Sequence, residues 1–329
     1  MDNRALLKVT FVSISIAIAI LISTLVWLPE FRKQETTGRE TVGESFSSVF
    51  VLPQQQGEQW IIDGDRARKL LQQGASLLDT RPFNLRHKRL KNSRSVAWQD
   101  FSQPNPPYRG RLLEDDAVLT AKLQALGIDR DRPVIVLGDP LGGWGEEGRI
   151  VWMLRTLGHS RAYLVDGGSN AIAEATIERP PQQGNFTVQR VSTWEIDTGE
   201  LQEAIAQNRL IAIDTREARE YEGQTPYGES RGGHIPRSIH LYYKDLLDAE
   251  GKLLRREEIV AKLQDKGIVS GVAIAAYCTG GVRSAWLTAV LVDLGFEVKN
   301  YAGSMWEWSS LSEANYPLVG GAEGAGEEK

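Results

Sequence analysis

The chain has 329 residues, 41% of them apolar and 25% charged, with a formal net charge of −5. This balance excludes a disordered tail protein, and the lack of a basic stripe excludes the usual electrostatic footprint of nucleic-acid binding. One cysteine and four histidines exclude an intrachain disulfide and a thiolate zinc set, so neither metal nor cofactor is expected.

A short tail, 1–8, precedes the uncharged stretch Val9 to Leu28, which has 15 apolar and five hydroxyl residues. At 1.5 Å per residue it reaches about 30 Å, enough to cross a hydrocarbon core. It is longer than the apolar region of a signal peptide and no small-residue cleavage site follows. Residues 9–28 therefore read as an uncleaved transmembrane helix, with Trp27 suited to the interface. Arg4 and Lys8 precede the span and Arg32, Lys33 and Arg39 follow it, so counting positive charges does not orient it. A very short first tail commonly stays in the cytoplasm, which places the body in the periplasm of a bacterium. There a single unpaired Cys278 has no partner in the chain to oxidise with.

Residues 29–57 are polar and aperiodic and read as a linker. A second break, RPPQQGN, marks an interdomain linker over 179–190, and a low-complexity tail occupies 319–329. Between these breaks the chain repeats itself. LLDTRP at 77–82 returns as AIDTRE at 212–217, LQALGI at 123–128 as LQDKGI at 263–268, and LGH at 157–159 as LGF at 294–296. An offset of about 135 to 140 residues is that of a duplicated domain, with copies at 58–178 and 191–318.

Within each copy, short β-branched runs alternate with amphipathic stretches: LIAID, REEIVAKLQDKGI, AIAAY, SAWLTAVLVDLG, EVKNY. Apolar runs of this length separated by helices predict βαβ units, a mainly parallel sheet and an α/β fold. Gly127, Gly158, Gly267 and Gly295 fall where C-terminal caps are expected.

Cys278 follows the strand AIAAY and precedes TGGVRS, which opens a helix. Ligands in open α/β sheets bind outside the carboxyl ends of the strands, and Cys278 is predicted at that edge. Gly280 and Gly281 allow a tight curl whose N–H groups converge, and the helix start adds its positive pole. Both favour thiolate over thiol. The plain alternative is an inert core cysteine, but strand, Cys, glycine turn and helix in that order favour a reactive one. Arg283, a cation at a helix start, is expected to shape the loop or meet an anion.

The motifs DTREAREYEG (214–223), GGHIPRSIHL (232–241), YCTGGVRSAW (277–286) and YAGSMWEW (301–308) together resemble the tandem rhodaneses, the family of thiosulfate and 3-mercaptopyruvate sulfurtransferases. The resemblance covers about residues 58–318. It implies that Cys278 takes a sulfane sulfur from a donor as a persulfide and passes it to a thiophilic acceptor: cyanide, a thiol or a thioredoxin-like protein. The loop Thr279, Gly280, Gly281, Val282, Arg283 and Ser284 would cradle the terminal sulfur with main-chain N–H groups.

Several positions depart from the family pattern. The substrate-binding Arg expected beside the aromatic of the YEG stretch is Glu220, with Arg219 one place earlier. Arg216, Arg219 and Arg283 are therefore the candidates for meeting substrate. Arg216 beside Asp214 could equally tie a loop, while His234 and His240 read as structural. In the first copy the loop LGDPLGGWGEEGR (137–149) has no Cys; Asp139 falls near the nucleophile's position and cannot carry sulfur. Glu146 and Glu147 would repel an anionic donor, and that copy is expected to wall the cleft, with Trp144 as a contact. Two rival readings are a Cys-dependent phosphatase or arsenate reductase, which needs five residues rather than four between Cys and Arg, and a membrane-tethered, non-catalytic binding module.

Overall fold

Two helix starts of the first copy are set by short-range chemistry. Asp63 accepts the N–H of Arg66 at 2.7 Å and Asp115 those of Ala117 and Val118. These bonds satisfy donors that a helix start leaves open. The computed structural model describes residues 58–82, 90–173, 175, 177 and 182–320. The expected membrane span at 9–28 and the linker at 29–57 lie outside them, and no helix among the described residues is long and apolar enough to cross a membrane.

The first copy runs β1 (Ile61–Ile62), α1 (Gly64–Gln72), β2 (Ser76–Asp79), β3 (Arg94–Ser95), α2 (Asp116–Ala125), β4 (Val134–Leu137), α3 (Glu146–Thr156), β5 (Ala162–Val165) and α4 (Gly168–Ala171). The second runs α5 (Thr198–Ala206), β6 (Ile211–Asp214), α6 (Ala218–Tyr221), β7 (Ile239–His240), α7 (Arg256–Asp265), β8 (Ile274–Tyr277), α8 (Arg283–Asp293), β9 (Val298–Asn300) and α9 (Ser304–Trp308). The sheet orders are β1-β5-β4-β2-β3 and β7-β6-β8-β9, and every pairing is parallel. The central strands β4 and β8 are buried throughout, as strands covered on both faces must be. The duplication extends to register: Asp79 lies opposite Leu137 as Asp214 lies opposite Tyr277. All four expected cap glycines have positive φ, between 74° and 98°.

The two copies share one core. Helices α3 and α8 pack on each other, and a single apolar cluster takes Ile150 and Trp152 from one with Leu287 and Val290 from the other. Gly148 permits this approach, since a Cβ there would lie 2.4 Å from Cα of Trp286. The outer face of each sheet carries a cluster of its own.

Two expected boundaries shift. Residues 182–190 are not a free linker: Gly184, Phe186 and Gln189 donate N–H bonds to the carbonyls of Gln124, Ile128 and Leu157. Phe186 and Val188 are buried in the shared core, and these two alternating apolar side chains strap the segment to the first copy. Val319, assigned to the tail, exchanges backbone hydrogen bonds with His234. Residues 321–329 lie outside the described part.

Candidate active site

Cys278 stands one residue beyond β8, where the fully buried strand reaches the sheet edge. Its own backbone is fixed first: the N–H donates to Ser304 Oγ at 3.1 Å and the carbonyl accepts the N–H of Met305 at 3.0 Å. The loop then turns back over the sulfur. Gly281, at φ +75°, donates its N–H to Sγ at 3.1 Å, and the Ser284 hydroxyl lies 3.6 Å from the same atom. A side chain at Gly281 would meet the Ala302 carbonyl at 2.5 Å, and one at Gly280 would strike the Trp306 ring at 2.2 Å. Both glycines are therefore required by close approach, and Gly281 also by its backbone conformation. Asn300 at the end of β9 accepts from Ser284 Oγ at 2.6 Å and donates to the Gly281 carbonyl at 3.2 Å.

Burial pushes the Cys278 thiol up. The charge of Arg283 and the donors of Ser284 and Gly280 outweigh it and leave the thiol below its ordinary value. Those contributions act on the anion alone, so the loop stabilises thiolate. The side chain is only 1% exposed, and the space beside it is a cavity of about 230 Å³. Trp98, Gln99, Trp144 and Glu146 of the first copy line that cavity with Tyr227 and Trp306 of the second. Trp144 thus lies where the sequence expected a contact, at the interface of the two copies.

Arg283 lines the cavity too but does not face it as an open cation. Its two terminal nitrogens bond the two Glu220 oxygens at 2.6 and 2.7 Å, and one also reaches Thr279 Oγ1 at 2.6 Å. The Thr279 hydroxyl lies 2.7 Å from a Glu220 oxygen and 3.1 Å from a Glu229 oxygen, its one proton donated to one or the other. Burial would raise the Glu220 carboxyl, yet Arg283 and Thr279 hold it below the usual range. The position where an arginine was expected thus carries the counter-charge that makes a cation at this helix start tolerable.

The other two candidate arginines are elsewhere. Arg216 is fully buried, forks onto Asp214 and donates to the Gly233 carbonyl at 2.8 Å, so it ties a loop and does not line the cavity. Arg219 is exposed and bonds Glu217 and the hydroxyl of Tyr227, touching the wall only from outside. His234 stacks on Tyr221 with ring centroids 3.6 Å apart, and His240 bonds the Arg216 carbonyl. Both are structural, as expected.

The rhodanese-like domain family matches residues 63–175 and 197–311, which is both copies. The chain belongs to the rhodanese-like family. It is 32% identical over 211 residues to a thiosulfate sulfurtransferase of Pseudomonas aeruginosa, covering 62% of this chain and 76% of that one. A thiosulfate/3-mercaptopyruvate sulfurtransferase of Arabidopsis thaliana is 26% identical over 238 residues, 64% of this chain and 68% of the other. In fold it resembles the 3-mercaptopyruvate sulfurtransferase of Leishmania major, with TM-score 0.65, 21% identity, and coverage of 79% and 76% respectively.

In the first rhodanese copy, strand register corrects the expected counterpart of Cys278. It matches Leu137 to Tyr277, so Gly138, not Asp139, occupies the position of Cys278. Asp139 is one residue further on and accepts the Gly142 N–H at 2.9 Å. A Cβ at Gly138 would lie 1.9 Å from Glu147 Oε2: the buried Glu147 carboxylate fills the place of the sulfur. Burial, with Glu146 and Asp139 nearby, pushes Glu147 up to about 7.

Sequence reasoning missed Arg149, Trp98, Asn300 and Glu229. Trp306 and Tyr227 lay within or beside quoted motifs. Arg149 and Trp98 belong to the copy without a cysteine, and no one-dimensional pattern places them at the other copy's loop.

Proposed function

We propose that this sulfurtransferase moves a sulfane sulfur from thiosulfate or 3-mercaptopyruvate to cyanide or a thiol, including that of a thioredoxin-like protein, through a persulfide on Cys278. The observation that carries the reading is the Cys278 sulfur, receiving the Gly281 N–H at 3.1 Å inside a loop that favours its anion, beside a cavity. With thiosulfate, the Cys278 thiolate attacks the outer sulfur, the S–S bond breaks, and sulfite leaves with the electron pair. With 3-mercaptopyruvate, the C–S bond breaks and the pyruvate enolate takes up the proton of the transferred thiol. Cyanide then removes the outer sulfur as thiocyanate and restores the thiolate. Converging main-chain N–H groups stabilise the negative terminal sulfur, so the step requires no general base.

A phosphatase is less well supported, because Arg283, the residue that would hold an oxyanion, is forked onto Glu220. We further propose that residues 9–28 tether the enzyme to a membrane with its body on the periplasmic side.

Incubation with either donor should add the mass of one sulfur atom at Cys278, and cyanide should then release thiocyanate. Cys278→Ser should lose both signals. Equal signals in both proteins, or turnover of an aryl phosphate instead, would remove the persulfide mechanism.

A further inference from the structure

Arg149 is 1% exposed and sits on α3, in the copy that has no cysteine. Every hydrogen bond it makes goes to a neutral acceptor: the Gly281 carbonyl at 3.2 Å, the Gly110 carbonyl at 2.6 Å and Ser102 Oγ at 3.2 Å. Its guanidinium lies against Trp152, 4.6 Å from the ring centroid, and 5.7 Å from that of the cavity-lining Trp98. Among the described residues no carboxylate comes within ion-pair distance of it. This contrasts with Arg216 and Arg283, which are equally buried and forked onto carboxylates.

A buried cation without a counter-charge is costly unless another anion balances it. The residue it holds on the catalytic side is Gly281, whose own N–H is the donor to Cys278 Sγ, and a Cβ at Gly281 would lie 2.9 Å from Arg149 Nη1. The charged groups around this point are Glu195, Arg283 with Glu220 and Glu229, and Cys278 itself. Arg283 acts on Cys278 but shares its charge with Glu220; Arg149, which feels Glu195 first and Cys278 next, is a second cation at the loop and has no carboxylate bonded to it.

We propose that Arg149 is a positioning residue, bonded to the Gly281 carbonyl behind the N–H that meets Cys278 Sγ, and a second fixed cation, beside Arg283, for the anionic sulfur: the cysteine-free copy supplies part of the positive charge on which the thiolate and its persulfide depend. The inference rests on the persulfide reading. It gives the first copy a task in the chemistry that shape alone does not. Desolvation lowers the Arg149 guanidinium to about 10, still charged at neutral pH, and Glu195, followed by the Cys278 anion, opposes that lowering.

The test is the pH dependence of iodoacetamide alkylation at Cys278 in the full chain, alongside the sulfur adduct formed with thiosulfate or 3-mercaptopyruvate. In Arg149→Gln the thiol midpoint should rise by about one unit and the adduct should decay roughly tenfold faster. Arg149→Lys, which keeps the charge but loses the fork, should stay within about 0.3 units of the parent. If Arg149→Gln does not fold, the lysine variant alone decides: a midpoint raised by one unit shows that bonding geometry, not charge, was at work and overturns the proposal. An unchanged midpoint in a folded Arg149→Gln, with the adduct forming normally, refutes this inference and leaves the persulfide mechanism standing. If the parent protein forms no adduct with any donor, both fall.

Discussion

Replacing Glu220 by glutamine tests the electrostatic reading of the site most severely, because it should weaken the fold and sharpen the thiol at once. Arg283 is 3% exposed and Glu220 fully buried, and two N–H···O bonds of 2.6 and 2.7 Å join them. With charge centres about 4 Å apart and an effective dielectric near 20, the pair interacts by about 4 kcal/mol. Removing one partner of a buried pair typically costs about 3–5 kcal/mol. Glutamine keeps an acceptor for Arg283 and Thr279, so the loss for Glu220→Gln should lie near the lower figure, about 3 kcal/mol. The guanidinium, no longer balanced, acts more fully on Cys278, whose thiol it already holds down. The midpoint of alkylation should therefore fall, by about one unit for each 1.4 kcal/mol of added interaction. Urea unfolding and iodoacetamide rates measured from mildly acid to alkaline pH report the two effects separately. A stability loss below about 1 kcal/mol, together with an unmoved or raised thiol midpoint, would refute the assignment of Glu220 as the partner that spends the charge of Arg283.

Glu147 in the cysteine-free copy gives a second, opposite pH signature. It keeps its proton up to about 7 against an ordinary value of 4.5, so between these values the folded state binds more protons and stability falls as pH rises. Glu147→Gln should accordingly gain up to about 3 kcal/mol above pH 7 and almost nothing near pH 4, read as the shift in urea midpoint at the two pH values. At the interface between the copies, Gly148→Ala places a Cβ 2.4 Å from Trp286 Cα. The helices must part, which should cost about 1–3 kcal/mol. Thiocyanate release should fall with it, because α3 positions Trp144 and Glu146 in the cavity wall; an unchanged urea midpoint and unchanged release would show that the helices do not meet there.

The sequence by itself determined the duplication and the parallel α/β class, and it singled out Cys278 as the candidate nucleophile. These follow from local, periodic signals: the repeated Asp-Thr-Arg, the apolar runs VIVL and IAAY, the cap glycines, and a cysteine between a strand and a glycine turn. The match of the rhodanese-like domain to both copies agrees with that reading. Only the tertiary structure decided what surrounds the sulfur. Glu220 reads in one dimension as a missing arginine, and it becomes the partner of Arg283 only when α6 and α8 meet 63 residues apart. Asp139 looked like the nucleophile's counterpart by alignment of letters, whereas strand pairing moved that role to Gly138 and put the Glu147 carboxylate in its place. Arg149 touches a loop 132 positions away. Charge balance in a buried site depends on distances through space, and those are set by how two copies of one fold pack helix against helix.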